Sequence, residues 1–204
     1  GVGHKYLIQH SAGSGKSHSI TWAAYQLIET HPAKLDLPGA RALDAPLFDS
    51  VIVVTDRRLL DKQLRDNIKD FSEVKNIVAP ALKSSDLKAA LENGKKIIIT
   101  TIQKFPFIID GIEDLGDKRF AVIIDEAHSG QSGIASDKMN QAMGGDPDED
   151  DAQDKIVAVM QARKMRGNAS YFAFTATPKP ITLEKFGEQQ PDGRFRPFNL
   201  YSMK

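Results

Sequence analysis

Apolar residues in this chain fall into short continuous runs separated by polar clusters and helical repeats. Val51-Ile52-Val53-Val54, the centre of Lys96-Ile97-Ile98-Ile99-Thr100, Phe120-Ala121-Val122-Ile123-Ile124 and Tyr171-Phe172-Ala173-Phe174 are rich in β-branched or aromatic side chains. Such runs predict strands buried on both faces of a parallel sheet. Tyr6-Leu7-Ile8 predicts a shorter first strand, and Asn76-Ile77-Val78 another. Between them the period changes. Ile20, Ala23, Ala24, Leu27 and Ile28 share one face of a helix running from Ser17 to Glu29, which His31-Pro32 ends. Leu59, Leu60, Leu64 and Ile68 mark a second helix. Ser84-Ser85-Asp86 reads as the cap of a third, running through Leu91 and closed by Asn93-Gly94, and Ile156, Val159 and Met160 place a fourth within 152–165. Strands alternating with helices predict an α/β fold around a mostly parallel central sheet.

The intervening stretches are less regular. Residues 33–49, preceded by Pro32 and carrying Pro38 and Pro46, read as a long connection whose tail, Pro46-Leu47-Phe48, tucks onto the core. Residues 144–154 carry Asp146, Asp148, Glu149, Asp150, Asp151 and Asp154, and read as a solvated acidic loop. From Lys179 to Lys204 no core face is evident, and the segment reads as irregular.

Each polar cluster follows a strand, and in open α/β sheets ligands bind at the carboxyl ends of the strands. The first cluster, Gln9-His10-Ser11-Ala12-Gly13-Ser14-Gly15-Lys16-Ser17, lies between a strand and a helix. Backbone N–H groups in a glycine-rich turn, with the helix dipole behind them, form an anion cradle. Gly13 and Gly15 permit the backbone angles and close approach that a phosphate needs. Lys16 is placed to reach the β- and γ-phosphates of a nucleotide, and the Ser17 hydroxyl to ligate Mg²⁺. The common pattern has Gly six residues before the Lys, where this chain has His10. His10, Ser11, Ala12, Gly13, Ser14, Gly15, Lys16 and Ser17 are together the nucleotide-binding stretch. Within it His10, like His18 further on, has no separate chemical task and is read as packing. Gln9 either shapes the nucleotide pocket or fills the strand end.

The run Phe120–Ile124 ends on Asp125-Glu126-Ala127-His128. A strand-tip Asp125 is placed to hold Mg²⁺ opposite Ser17, and Glu126 to polarise an attacking water, while Lys16 and the metal offset charge in phosphoryl transfer. Lys16, Asp125 and Glu126 are the candidate catalytic residues, and ATP with Mg²⁺ the implied cofactors.

Composition narrows the setting. The chain has 204 residues, 41% of them hydrophobic, enough for a substantial core. There is no cysteine, which excludes disulfides and thiolate zinc sites and fits a cytoplasmic location. No apolar run reaches the ~18 residues of a membrane span. Lys and Arg together number 27, as do Asp and Glu, so bulk charge provides no general nucleic-acid footprint. The five histidines show no paired metal-ligand spacing.

Three motifs in order, Gly13-Ser14-Gly15-Lys16-Ser17, Asp125-Glu126-Ala127-His128 and Thr175-Ala176-Thr177, resemble motifs I, II and III of superfamily 2 helicases and translocases. Thr55-Asp56-Arg57-Arg58 and Thr100-Thr101-Ile102-Gln103 resemble the strand-end motifs with which that superfamily grips nucleic-acid backbone. More narrowly, the wording of residues 9–17, of 53–61 and of Ile99-Thr100-Thr101-Ile102-Gln103-Lys104-Phe105 resembles the motor (R) subunit of type I restriction–modification enzymes.

That resemblance implies a three-layer RecA-like P-loop NTPase domain over residues 1–180, the first of two such motor domains, with 181–204 extending irregularly toward the second. It implies an ATP-dependent double-stranded DNA translocase belonging to a site-specific endonuclease. The implied partners are double-stranded DNA, methylation and specificity subunits, and a nuclease domain and second RecA-like domain of the same subunit, with no membrane. It also implies coupling roles for His128, Thr175 and Thr177, and DNA contacts through Thr55, Arg57, Arg58, Thr101 and Gln103. The chain on its own is then expected to be nearly inactive, because the second domain supplies arginines to the transferred phosphate. For Lys104-Phe105, core packing of the phenyl ring is the better reading. The competing expectations are a strand-separating DNA or RNA helicase of the same superfamily and a nucleotide-gated scaffold. An intact set of Lys16, Ser17, Asp125 and Glu126 speaks against the scaffold.

Overall fold

A computed structural model describes residues 2–11, 14–32, 44–55, 78–81, 83–102, 104–105, 108, 112, 115–125, 168–178 and 180–201. The predicted helix around Leu59–Ile68, the one within 152–165, the acidic run 144–154 and most of the connection 33–49 lie outside these residues, as do Asn76 and Ile77.

Seven strands form one sheet. They are β1 (Lys5–His10), β2 (Ser50–Thr55), β3 (Val78–Pro80), β4 (Ile97–Thr101), β5 (Phe120–Asp125), β6 (Ala169–Thr175) and β9 (Asn199–Tyr201), in the order β3-β4-β2-β5-β6-β1-β9. All its pairings are parallel. The helices are α1 (Lys16–Ile28), α2 (Ser84–Glu92) and α3 (Pro180–Phe186). A separate antiparallel ribbon pairs β7 (Glu188–Gln189) with β8 (Phe195–Arg196).

Successive strand residues point to opposite faces, and here both faces are covered. Val51 and Val53 of β2, Ile97 and Ile99 of β4, and Ala121 and Ile123 of β5 pack with Ile20 and Ala24 of α1 and with Phe48. Ile52, Val54, Ile98, Val122 and Ile124 point the other way, toward Leu87 of α2, Phe105, Ile108 and Phe186 of α3. This explains why the strand runs lack polar alternation, and it gives three layers. Phe105 and Phe48 are buried, as the sequence predicts, and Leu47 N–H donates to the Thr30 carbonyl at 2.7 Å. Tyr171 is sealed among apolar neighbours, and burial pushes its phenol up to about 12.

Two local predictions are corrected. The cap of α2 is Lys83 rather than the serines: its N–H donates to the Asp86 carboxylate at 3.2 Å, leaving Ser84 and Ser85 inside the helix. Residues 180–201 hold regular elements where an irregular segment is expected. Thr182 and Phe186 of α3 are buried, the β7–β8 ribbon follows, and β9 joins the main sheet beside β1. These elements are two to seven residues long and β9 is exposed at every position, so neither periodicity nor an apolar run announces them. Gly187 closes α3 where a side chain would not fit, because a Cβ there would lie 2.5 Å from the Leu183 carbonyl and 2.8 Å from that of Arg196.

Candidate functional site

The register brings the polar strand ends to one edge. Asp125 lies opposite Phe174, Gln9 opposite Thr175, and Thr55 opposite Thr101. Because every strand runs the same way, all these residues mark the carboxyl edge of the sheet, where helix N-termini and their dipoles also point. Strand β1 stands two places from β5, with β6 between them, a span of about 10 Å at ordinary strand spacing.

Lys16 crosses that span. It opens α1, which packs over β2 and β5 through Ile20 and Ala24, and its ammonium meets the Asp125 carboxylate at 3.0 Å. Both side chains are largely shielded, at 16% and 7% exposure, so solvent screens the pair only weakly. Gly15 immediately before the helix has φ +85°, and its carbonyl accepts from the His18 and Ser19 N–H groups at 3.0 and 3.1 Å. A Cβ at Gly15 would meet nothing within 4 Å, so the backbone angle and not crowding is what asks for glycine. Ser17 lies half-buried in the first turn, and its carbonyl accepts from the Thr21 hydroxyl at 2.9 Å.

A carboxylate and a serine hydroxyl are hard oxygen donors. They fit Mg²⁺, which takes one or two protein ligands and completes its shell with phosphate and water. A cluster of three or more His, Asp or Glu suited to a protein-only metal site is absent among the described residues.

His10 is more than packing. The ring is 2% exposed, yet both nitrogens are engaged: Nδ1 lies 2.6 Å from Ser14 Oγ and Nε2 lies 2.9 Å from Ser19 Oγ. The Ser14 hydroxyl donates to the Ser11 carbonyl at 2.5 Å. On the outer side the His10 ring lies 4.7 Å from that of Tyr201, and Ser11 N–H donates to the Tyr201 carbonyl at 3.1 Å. The phosphate loop is thus gripped by α1 on one side and β9 on the other. Gln9 has a defined partner as well, since its side-chain amide donates to the Ala176 carbonyl at 3.4 Å and ties β1 to Thr175-Ala176-Thr177. Sequence reasoning missed Ser19 and Tyr201. Ser19 looks like an ordinary helix serine, and Tyr201 lies in the segment that carries no pattern.

The remaining predicted residues divide. Thr175 is buried at the end of β6, and Thr177 beyond it is exposed. Thr101 is half-buried. Thr55 is 0% exposed, and its hydroxyl has no hydrogen-bond partner among the described residues. Ala12, Gly13, Arg57, Arg58, Gln103, Glu126 and His128 lie outside the described residues.

A parallel sheet with a strand–loop–helix turn and an acidic strand tip at its carboxyl edge has the architecture of P-loop NTPases, and solved structures share it. The UvsW helicase from bacteriophage T4 superposes with a TM-score of 0.50 at 12% identity, covering 97% of this chain and 54% of that one. A hypothetical ATP-dependent RNA helicase from Sulfolobus tokodaii superposes with a TM-score of 0.50 at 19% identity, covering 97% of this chain and 48% of that one. The chain therefore spans about half the length of either. The fold is that of the RecA-like domains of these helicases. No curated protein matches the sequence. The SWI2/SNF2 ATPase family model matches residues 3–192, and the chain belongs to that family. It is a superfamily 2 helicase-type ATPase domain.

Proposed function

We propose that this chain is the ATP-binding first motor domain of a double-stranded DNA translocase, of the kind carried by the R subunit of type I restriction–modification enzymes. The observation that carries the nucleotide part is the Lys16–Asp125 pair at 3.0 Å, set at the carboxyl edge of a parallel sheet. The translocase part rests on the resemblance of residues 9–17, 53–61 and 99–105 to that subunit. On this reading Lys16 and the loop N–H groups hold the β- and γ-phosphates, Ser17 and Asp125 hold Mg²⁺, and Glu126 orients the attacking water. When bound, the metal supplies charge neutralisation at the transferred phosphate.

Transmission to DNA then starts at the strand end beside the loop. Gln9 bonds the Ala176 carbonyl at 3.4 Å, so a shift of β1 on nucleotide binding is felt directly in Thr175-Ala176-Thr177. Arg57, Arg58, Thr101 and Gln103 are the proposed backbone contacts. The working enzyme also needs a second RecA-like domain, a nuclease domain and the methylation and specificity subunits as partners.

A strand-separating helicase is the second reading, favoured by the fold shared with UvsW. Triplex displacement and strand displacement by the full-length protein separate the two. ATP-dependent removal of a triplex-forming oligonucleotide without unwinding of a forked duplex supports the translocase; unwinding with no triplex displacement rejects it.

A further inference from the structure

We infer that His10 is a positioning residue for nucleotide binding, which sets the phosphate loop by donating Nδ1–H to Ser14 while Ser19 holds the far side of its ring. The inference rests on the reading of this loop as a nucleotide cradle. It goes beyond that reading in giving a task to a side chain that contacts no phosphate in the proposed mechanism.

Counting protons assigns the network. The Ser14 hydroxyl spends its only proton on the Ser11 carbonyl at 2.5 Å, so toward His10, 2.6 Å away, Ser14 Oγ is an acceptor. His10 Nδ1 must then carry hydrogen. In the neutral ring Nε2 is left with a lone pair, and the Ser19 hydroxyl at 2.9 Å donates to it. The result is one directed chain from Ser19 through His10 and Ser14 to the Ser11 carbonyl. It joins the first turns of α1 to both ends of the loop.

Burial gives the chain its leverage. A polar ring that is 2% exposed cannot exchange its partners for water, so losing one leaves an unmet group at a cost that water cannot repay. The ring is also fixed in place, because Tyr201 of β9 lies against it at 4.7 Å and Ser11 is bonded to the Tyr201 carbonyl. Ser14 precedes Gly15 and Lys16, and its position governs where the loop N–H groups and the lysine start. Glycine at position 10 could supply none of these bonds. His10 therefore replaces the usual conformational freedom at this position with a side-chain brace.

The test uses the full-length protein, a fluorescent ADP as probe, and thermal unfolding to confirm folding. Asn at this position can donate from about where Nδ1 sits, whereas Gln reaches toward Ser19 and leaves Ser14 unserved. His10→Gln is expected to bind ADP about tenfold more weakly, the scale of one lost buried hydrogen bond, and His10→Asn to recover to within about threefold of wild type. Ser14→Ala should match His10→Gln, and the pair His10→Gln/Ser14→Ala should be no weaker than either alone. Wild-type affinity in His10→Gln, equal losses in the Asn and Gln variants, or additive losses in the pair overturns the inference. Lys16→Ala in the same assay separates the two failures. If Lys16→Ala abolishes binding and the His10 variants do not weaken it, only the brace is wrong; if Lys16→Ala binds normally, the nucleotide reading falls and the brace with it.

Discussion

Lys16 of the phosphate loop and Asp125 of the β5 tip, 109 positions apart in the chain, form an ion pair at 3.0 Å. On the proposed reading the Lys16 ammonium shares its three N–H donors between Asp125 and an incoming phosphate, so nucleotide binding changes what Asp125 holds. Asp125→Asn releases the lysine and weakens the metal ligand together. Binding of ATP in EDTA is expected to be unchanged or tighter in that variant, while the further tightening produced by Mg²⁺ is lost. Titrations in the two buffers check this, and an undiminished Mg²⁺ effect would remove Asp125 from the metal site.

Gly15 is held at φ +85°, a conformation that costs an L side chain about 1–2 kcal/mol. Gly15→Ala should lower the unfolding free energy by about that amount. It should also weaken ADP binding, because the first turn of α1 starts from this residue. Chemical denaturation with and without ADP measures both, and a neutral substitution would mean that the loop relaxes without consequence.

Thr55 has a fully buried hydroxyl with no hydrogen-bond partner among the described residues. Exchanging that hydroxyl for a methyl group removes a desolvated polar atom at nearly constant shape. Thr55→Val is expected to match or exceed wild-type stability and to leave DNA affinity unchanged. A clear loss of DNA affinity in a stable Thr55→Val protein would make Thr55 a DNA contact.

Tyr171 provides a pH signature of the core. Its phenol ionises near 10 in the unfolded chain and near 12 when folded, because burial disfavours the phenolate. Below pH 10 both states hold the proton and the contribution is complete. Between pH 10 and 12 the unfolded chain releases it first, and stability falls with rising pH by up to roughly 2–3 kcal/mol. Tyr171→Phe should flatten that part of the denaturation profile, and an unchanged slope would assign the alkaline loss elsewhere.

The central strands were readable because each is buried on both faces, which writes a continuous apolar run such as Val51–Val54 into the chain. Helix α1 was readable from Ile20, Ala24 and their neighbours at helical spacing. The meeting of Lys16 and Asp125 at one sheet edge was readable because a glycine-rich loop and an acidic pair each directly follow a strand of a parallel sheet. Strand β9 was not, since its three exposed residues are held by backbone pairing to β1, which leaves no trace in side-chain pattern. The His10 brace was hidden for a related reason. Its partners Ser14, Ser19 and Tyr201 become neighbours only when the loop, α1 and β9 meet. Burial of Thr55 follows from covering both sheet faces at the strand end, which spacing alone does not reveal.

DNA-stimulated ATP hydrolysis by the full-length protein, compared between wild type and Lys16→Ala, tests the account most directly. Loss of the group proposed to meet the transferred phosphate is expected to reduce turnover by roughly a hundredfold or more while the fold, monitored by thermal unfolding, stays intact. A folded Lys16→Ala protein with wild-type turnover would contradict the assignment of this loop and of the Asp125 edge as the ATP site.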